Sequence, residues 1–162
     1  MALTSYAKVT GKKSGEIKGS CQQGGDKKDK ILVYGIKHDV TIPRDNLTGL
    51  PTGQRVHSPF VITKSVDKAS PNLYKLCTTG EHCDVEVDYY RIKEDGTEEK
   101  YYTVKLADAI VVAMNHWKLN VLNPDNKPFE DSEDVAFTYS KITWNFADGN
   151  IEHTDDWKGG GK

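Results

Sequence analysis

The stretch DKASPNLYKLCTTG, residues 67–80, is the clearest helix in a chain otherwise patterned for strands, and it decides the fold class. Ser70 can cap it, its side-chain oxygen accepting a free amide of the first turn. Pro71 follows at the first helical position, where a missing N–H costs nothing and the fixed φ suits the helix. Leu73, Leu76 and Cys77 recur at helical spacing and make one apolar stripe. Gly80 ends the segment, because glycine takes the left-handed conformation without strain. A helix over residues 70–79 is too short to stand alone, so it must be held by packing against something larger.

That larger partner is a sheet. Residues 59–66 alternate as a strand leading directly into the helix. Further upstream, ILVYGIKHDVTI (31–42) is dominated by β-branched and aromatic residues and predicts one long strand. Leu32, Tyr34, Ile36 and His38 share one of its faces; Ile31, Val33, Gly35, Lys37 and Asp39 share the other. Gly35 within it predicts a bulge or a close backbone approach. Residues 3–9 and 16–21 suggest two shorter strands. The Gly- and Lys-rich run 22–30, with Lys27, Lys28 and Lys30 against Asp26 and Asp29, reads as a solvated loop. PRDNLTGLPTGQRVH (43–57) is polar and too long for a hairpin turn, and loops of this length usually carry function or are disordered.

Downstream the pattern continues. In residues 83–93, Val85, Val87, Tyr89 and Arg91 alternate with Glu86, Asp88, Tyr90 and Ile92. EDGT (94–97) is a hairpin turn, and a long strand returns over 98–113. Residues 115–132 read as loop, with a brief pairing at 118–122. DVAFTYSKITWNF (134–146) predicts one further alternating strand, and Asp148-Gly149-Asn150 a tight turn into a short last strand. Many strands, two hairpins and one helix predict an antiparallel β-barrel or two-sheet barrel with a helix at its side. A single domain is expected over 1–158, with a flexible Gly-rich tail at 159–162.

Composition narrows the function classes. A chain of 162 residues can hold one real core. A net charge of −2 speaks against nucleic acid as a partner. No apolar run is long enough to span a bilayer, and MALTSYAKVTGKK lacks the apolar core of a Sec leader. Three cysteines do not make a disulfide framework. The best metal-like grouping, Cys77, His82 and Cys83, lacks paired CxxC spacing and a nearby fourth ligand. There is no HExxH pair and no GxSxG elbow. Carboxylate pairs such as Glu98/Glu99 and Asp155/Asp156 read as solvated charge. No cofactor, metal or catalytic residue is therefore assigned. Three readings stay open: an assembly protein working through its surfaces, a monomeric small-ligand-binding barrel, or an enzyme whose site converges only in three dimensions.

A resemblance separates them. Residues 42–82, with RVHSPF, SPNLYK and TTG, resemble the haemolysin-coregulated protein (Hcp) family, the tube protein of bacterial type VI secretion. DYYRIKEDGTEEKYYTVKLADAIVV (88–112) and YSKITWNFADGNIEHTDDW (139–157) extend the likeness. The resemblance implies a phage tail-tube-like barrel and six-membered rings stacked into a hollow tube. It further implies a contractile sheath, a spike at the tip, small effector proteins in the lumen, and export from the bacterial cytoplasm without a Sec signal. It implies no catalysis and no membrane insertion. On physical grounds the 43–57 loop is the candidate for ring stacking, through Asn46, Thr48, Arg55 and His57. Lys37 and Asp39 are candidates for the lumen. Tyr89, Tyr90 and Trp157 are candidates for the ring interface, where aromatic residues are enriched.

Overall fold

The computed structural model describes residues 3–157. The helix forms as α1, Ser70–Thr79, and ends on Gly80 at φ 67°. Leu73 and Leu76 are completely buried and Cys77 packs at the edge of the same core. The start of the helix departs from expectation. Ala69 is the cap residue and Ser70 the first helical one, without a capping bond into the helix. Asp67 serves the free end instead, its Oδ1 accepting the Ala69 N–H at 2.9 Å. Ser70 Oγ is drawn away to Lys64 and Glu133 beneath the helix.

The strands, all paired antiparallel, are β1 (Ser5–Gly11), β2 (Gly15–Ile17), β3 (Ile31–Val33), β4 (Gly35–Lys37), β5 (Val40–Thr41), β6 (Val56–His57), β7 (Phe60–Ser65), β8 (Cys83–Ile92), β9 (Glu98–Trp117), β10 (Ser132–Thr138), β11 (Lys141–Phe146) and β12 (Ile151–Asp156). In the first sheet β2 and β3 lie along the outer edge of β1, followed by β8, the first half of β9, β11 and β12. In the second, the last part of β9 is followed by β10, β7 and β4. β9 therefore belongs to both. It turns where β8 and β9 slip register between Cys83 and Val85, with one extra residue on the β9 side, and Asp108 there takes φ 51°. A bulge of this kind bends a strand and sharpens its twist. The core fills the space between the sheets, with Val9, Val87 and Leu106 from one and Phe60, Ile62, Val135 and Phe137 from the other. Each such side chain contributes roughly 1.5–3 kcal/mol on burial.

Five local expectations are corrected. The 31–42 strand is broken: β3 pairs with β1 in the first sheet, β4 with β7 in the second, and β5 leaves both. Neither a bulge nor a close backbone approach occurs at Gly35: an added Cβ would make only ordinary contact with the Thr63 side chain, at 3.4 Å. The 134–146 strand is likewise two, because the alternation changes phase. Val135, Phe137 and Tyr139 are buried, and then Ile142 is, so no single strand could bury both sets. Residues 118–122 do not pair; β9 runs on to Trp117 and a 3-10 turn forms at Pro124–Asn126. Finally, the 22–30 loop is exposed over 22–26 and at Lys28, as expected, but Lys27 and Lys30 are tied down and not solvated. Lys27 Nζ lies over the rings of Tyr6 and Tyr90, 5.0 and 4.4 Å from their centroids, and pairs with Glu98. Lys30 reaches the buried Asp88 at 2.5 Å. The 159–162 tail lies outside the described residues.

Candidate functional site

Residues 40–57 form a projecting two-stranded arm. β5 and β6 pair through Val40–His57 and Thr41–Val56, and an isolated bridge joins Arg44 to Pro51 farther out. The Thr52 N–H donates to Pro43 O at 2.8 Å, and the Asp45 N–H to Leu50 O at 2.9 Å. At the tip Asp45 Oδ1 accepts the amides of Leu47 and Thr48, each at 2.8 Å. Those bonds hold the Asp45 carboxyl below its ordinary range, the Thr48 amide first. Gly49, at φ 71°, completes the turn. The arm tip turns Leu47 outward at 96 % exposure, with Leu50 beside it.

The base of the arm is fixed by a chain of buried polar side chains. His38 Nε2 lies 2.7 Å from the Tyr139 hydroxyl, which lies 2.7 Å from His57 Nδ1. His57 Nε2 lies 2.7 Å from Asp155 Oδ2, and Arg55 grips Asp155 with two bonds of 2.5 and 2.7 Å. The protons can be assigned along this chain. Asp155, held below the usual carboxylate range by Arg55 and then His57, only accepts. His57 therefore carries a hydrogen on Nε2. The Tyr139 hydroxyl bridges the two rings, between His57 Nδ1 and His38 Nε2. Burial, and then Asp155, push the Tyr139 hydroxyl well above its ordinary 10.0. Burial, and then His57, push His38 below its ordinary 6.5. Trp157 stacks on His57 at 5.5 Å and Trp144 on His153 at 5.8 Å.

An Asp–His–Tyr–His chain has the parts of a proton relay, but the Tyr139 hydroxyl and both nitrogens of His57 already hold neighbours within the chain. It is chemically an anchor. Of the sequence candidates, Asn46 and Thr48 stand exposed at the tip, whereas Arg55 and His57 serve the anchor. The expectation that Arg55 and His57 reach outward for stacking is thus corrected; the His57 side chain is 0 % exposed. Lys37 is exposed at the end of β4. Asp39 is exposed beyond that strand, its backbone tied to Ser58. Tyr89 and Tyr90 are half-buried and pack within the chain, on Tyr102 and on Tyr6. The metal-like grouping is not assembled: burial pushes the Cys83 thiol up to about 12, and His82 binds Asp108 at 2.5 Å. His38 and Tyr139 were not singled out by the sequence, and Asp155, read there as solvated charge, is instead bound by Arg55 and His57. The available signal was Tyr139 itself, a phenol continuing the buried Val135–Phe137 face, where its hydroxyl needs a partner.

Comparison with known proteins places this geometry. The family described as "Type VI secretion system effector, Hcp" matches residues 6–146. The "Major exported protein" of Pseudomonas aeruginosa is 44% identical over 168 residues, spanning 98% of this chain and 97% of that one. A crystal structure of an Hcp protein superposes with TM-score 0.88 at 31% identity, covering 95% of this chain and 97% of the other. Hcp1 from E. coli EAEC 042 superposes with TM-score 0.85 at 37% identity, covering 96% and 99%.

Proposed function

This chain belongs to the Hcp family of type VI secretion proteins, and from that premise we propose that it is a structural subunit of the secretion tube. Six copies close into a ring and rings stack into a hollow tube. A contractile sheath drives that tube outward behind a spike, and small effector proteins travel in the lumen. The reading needs no catalysis. Export proceeds through the apparatus itself.

The observation that carries this reading is the arm. A projecting element held by a buried polar chain, with Leu47 almost wholly in solvent, is suited to meeting another copy. Asn46 and Thr48 flank that contact, so the arm supplies ring stacking through its tip. The outward face of the second sheet, with Lys37, Val61, Thr63, Asp134 and Ala136 in register, supplies the lumen wall, with Asp39 at its rim. Its short side chains suit a passage along which a cargo must slide. Trp157, partly exposed beside the arm base, is retained at the ring interface, with Tyr89 and Tyr90 at its margin.

Light scattering on a sizing column, with negative-stain images of the peak, tests the reading. Particles of six times the 18.1 kDa chain mass with a central hole are expected. A monomer at every concentration would overturn it and return the ligand-binding barrel.

A further inference from the structure

Two imidazoles at the arm base share one hydroxyl, an arrangement that the assembly of copies does not require. The Tyr139 hydroxyl lies 2.7 Å from His57 Nδ1 and 2.7 Å from His38 Nε2, and the two imidazole rings stand 6.4 Å apart. Contacts of that length are hydrogen bonds, and each needs its own hydrogen. The phenol brings only one. The other comes from an imidazole: from His38 when Tyr139 donates to His57, or from His57 when Tyr139 donates to His38.

Counting hydrogens fixes how much charge the bridge can hold. Asp155 accepts the His57 Nε2 hydrogen at 2.7 Å, so a further hydrogen on Nδ1 makes His57 an imidazolium. Tyr139 then donates to a neutral His38, and both bonds are kept. With His57 neutral, Tyr139 donates to its Nδ1 and His38 donates from Nε2, whether His38 is neutral or charged. One positive charge therefore fits, on either ring. Two do not. Both nitrogens facing the hydroxyl would carry hydrogens, the phenol hydrogen would lose its acceptor in the bridge, and like charges would face each other on rings taken from water.

The surroundings do not supply that missing compensation. Asp155 is gripped by Arg55, which also donates to the Asp156 carbonyl at 3.0 Å. On the other side of His38 stand Phe60 and Trp144, with His153 stacked beyond Trp144. Asp39 is the carboxylate beside His38; burial, and then His57, outweigh it and hold His38 below its ordinary 6.5. The arm depends on this bridge, because β5 and β6 pair only with each other and lie off both sheets. We propose that the His38–Tyr139–His57 bridge is a latch that holds one proton and opens on a second, so that acid frees the 40–57 arm from the body of the chain. Half-buried His38 is the end at which the second proton enters. The latch belongs to a single copy and stands apart from the tube reading.

Amide exchange of the full chain, corrected for the intrinsic rate at each pH, tests it whether or not rings form. The amide to follow is Ser58, which donates to Asp39 O at 2.9 Å across the arm base; the control is Leu73 in α1, which donates to Ala69 O at 3.0 Å. Opening that takes up one proton should raise exchange at Ser58 about tenfold per pH unit below 6.5, and leave Leu73 level. A rise of about a hundredfold per unit would mean that the closed bridge holds no proton, and would overturn the proposal. So would a flat profile, or an equal rise at Leu73. In His38→Gln the side-chain amide can give or take the bond to Tyr139, so the rise should vanish down to the carboxylate range. A rise that persists there would also overturn the latch. Asp39→Asn, at an exposed position, guards against a glutamine variant that fails to fold. It removes the anion beside His38 and should extend the wild-type rise to lower pH; an unchanged profile would mean that His38 is not the group that titrates.

Discussion

Beneath α1 and beneath the arm, the protein buries polar side chains in different ways. Under α1 the cluster is ionic and sealed. Lys64, fully buried, faces Glu133 at 2.6 Å, Asp67 at 2.9 Å and Ser70 Oγ at 3.0 Å, and Glu133 Oε2 has no hydrogen-bond partner. Under the arm the inner members, His38, Tyr139 and His57, are two imidazoles bridged by a phenol, and the ions Asp155 and Arg55 lie toward the surface. A sealed ionic cluster carries a heavy desolvation cost and tolerates no missing partner, whereas a hydrogen-bonded chain that ends in a surface ion pair keeps its fixed charges near water. The first fixes the fold's one helix; the second holds a projection whose tip belongs to an assembly.

The largest test removes Lys64. Lys64→Met should cost about 3–5 kcal/mol in urea unfolding, because two carboxylates lose their buried cation. Adding Glu133→Leu should restore most of it; if the double variant is no better than the single, the ionic reading of this cluster is wrong. Next is Tyr139→Phe, which leaves His57 Nδ1 and His38 Nε2 without their shared hydroxyl. A loss of about 1–3 kcal/mol is expected, with faster amide exchange confined to residues 40–57. Exchange that rises equally around α1 would erase the distinction between the clusters.

Acid should separate them further. A histidine held below 6.5 supports the fold above that pH and withdraws its support as pH falls through its lowered value, so His38 weakens the arm base below 6.5. Asp155, held below its ordinary 3.8, acts the same way at lower pH: its contribution is present above 3.8 and is lost as pH falls through the depressed value. Fluorescence of Trp157, stacked on His57, should therefore change in two steps, and only the lower one should survive in His38→Gln. The smallest effect is expected at an exposed pair, Lys105 and Glu86 at 3.6 Å, where Lys105→Ala should cost under about 1 kcal/mol. A larger loss there would show that charge on the outer face of the first sheet matters more than either cluster's design implies.

Much of this was legible before the fold. α1, its end at Gly80 and the hairpin at Gly96 rest on local chemistry and stand where the residues put them. The burial of Lys64 also had a signal, since it continues the buried alternation of Phe60 and Ile62. The two broken strands were less visible. Residues 31–42 keep β-branched character through their crossing, and only the change of phase after Tyr139 marks the other.

The sequence by itself determined that the chain is a β-protein with one side-packed helix, and that 43–57 is a long polar connection of the kind that carries function. Period, cap and turn chemistry act over a few residues and need no knowledge of the rest. Only the tertiary structure decided that Arg55 and His57 hold the arm from within instead of reaching outward from it. Their partners, Tyr139 and Asp155, lie 82 and 98 residues from His57, and no local rule couples positions so far apart. It also decided that the arm and the 118–131 loop stand at opposite ends of one sheet, because that placement depends on which strands pair, and in what register.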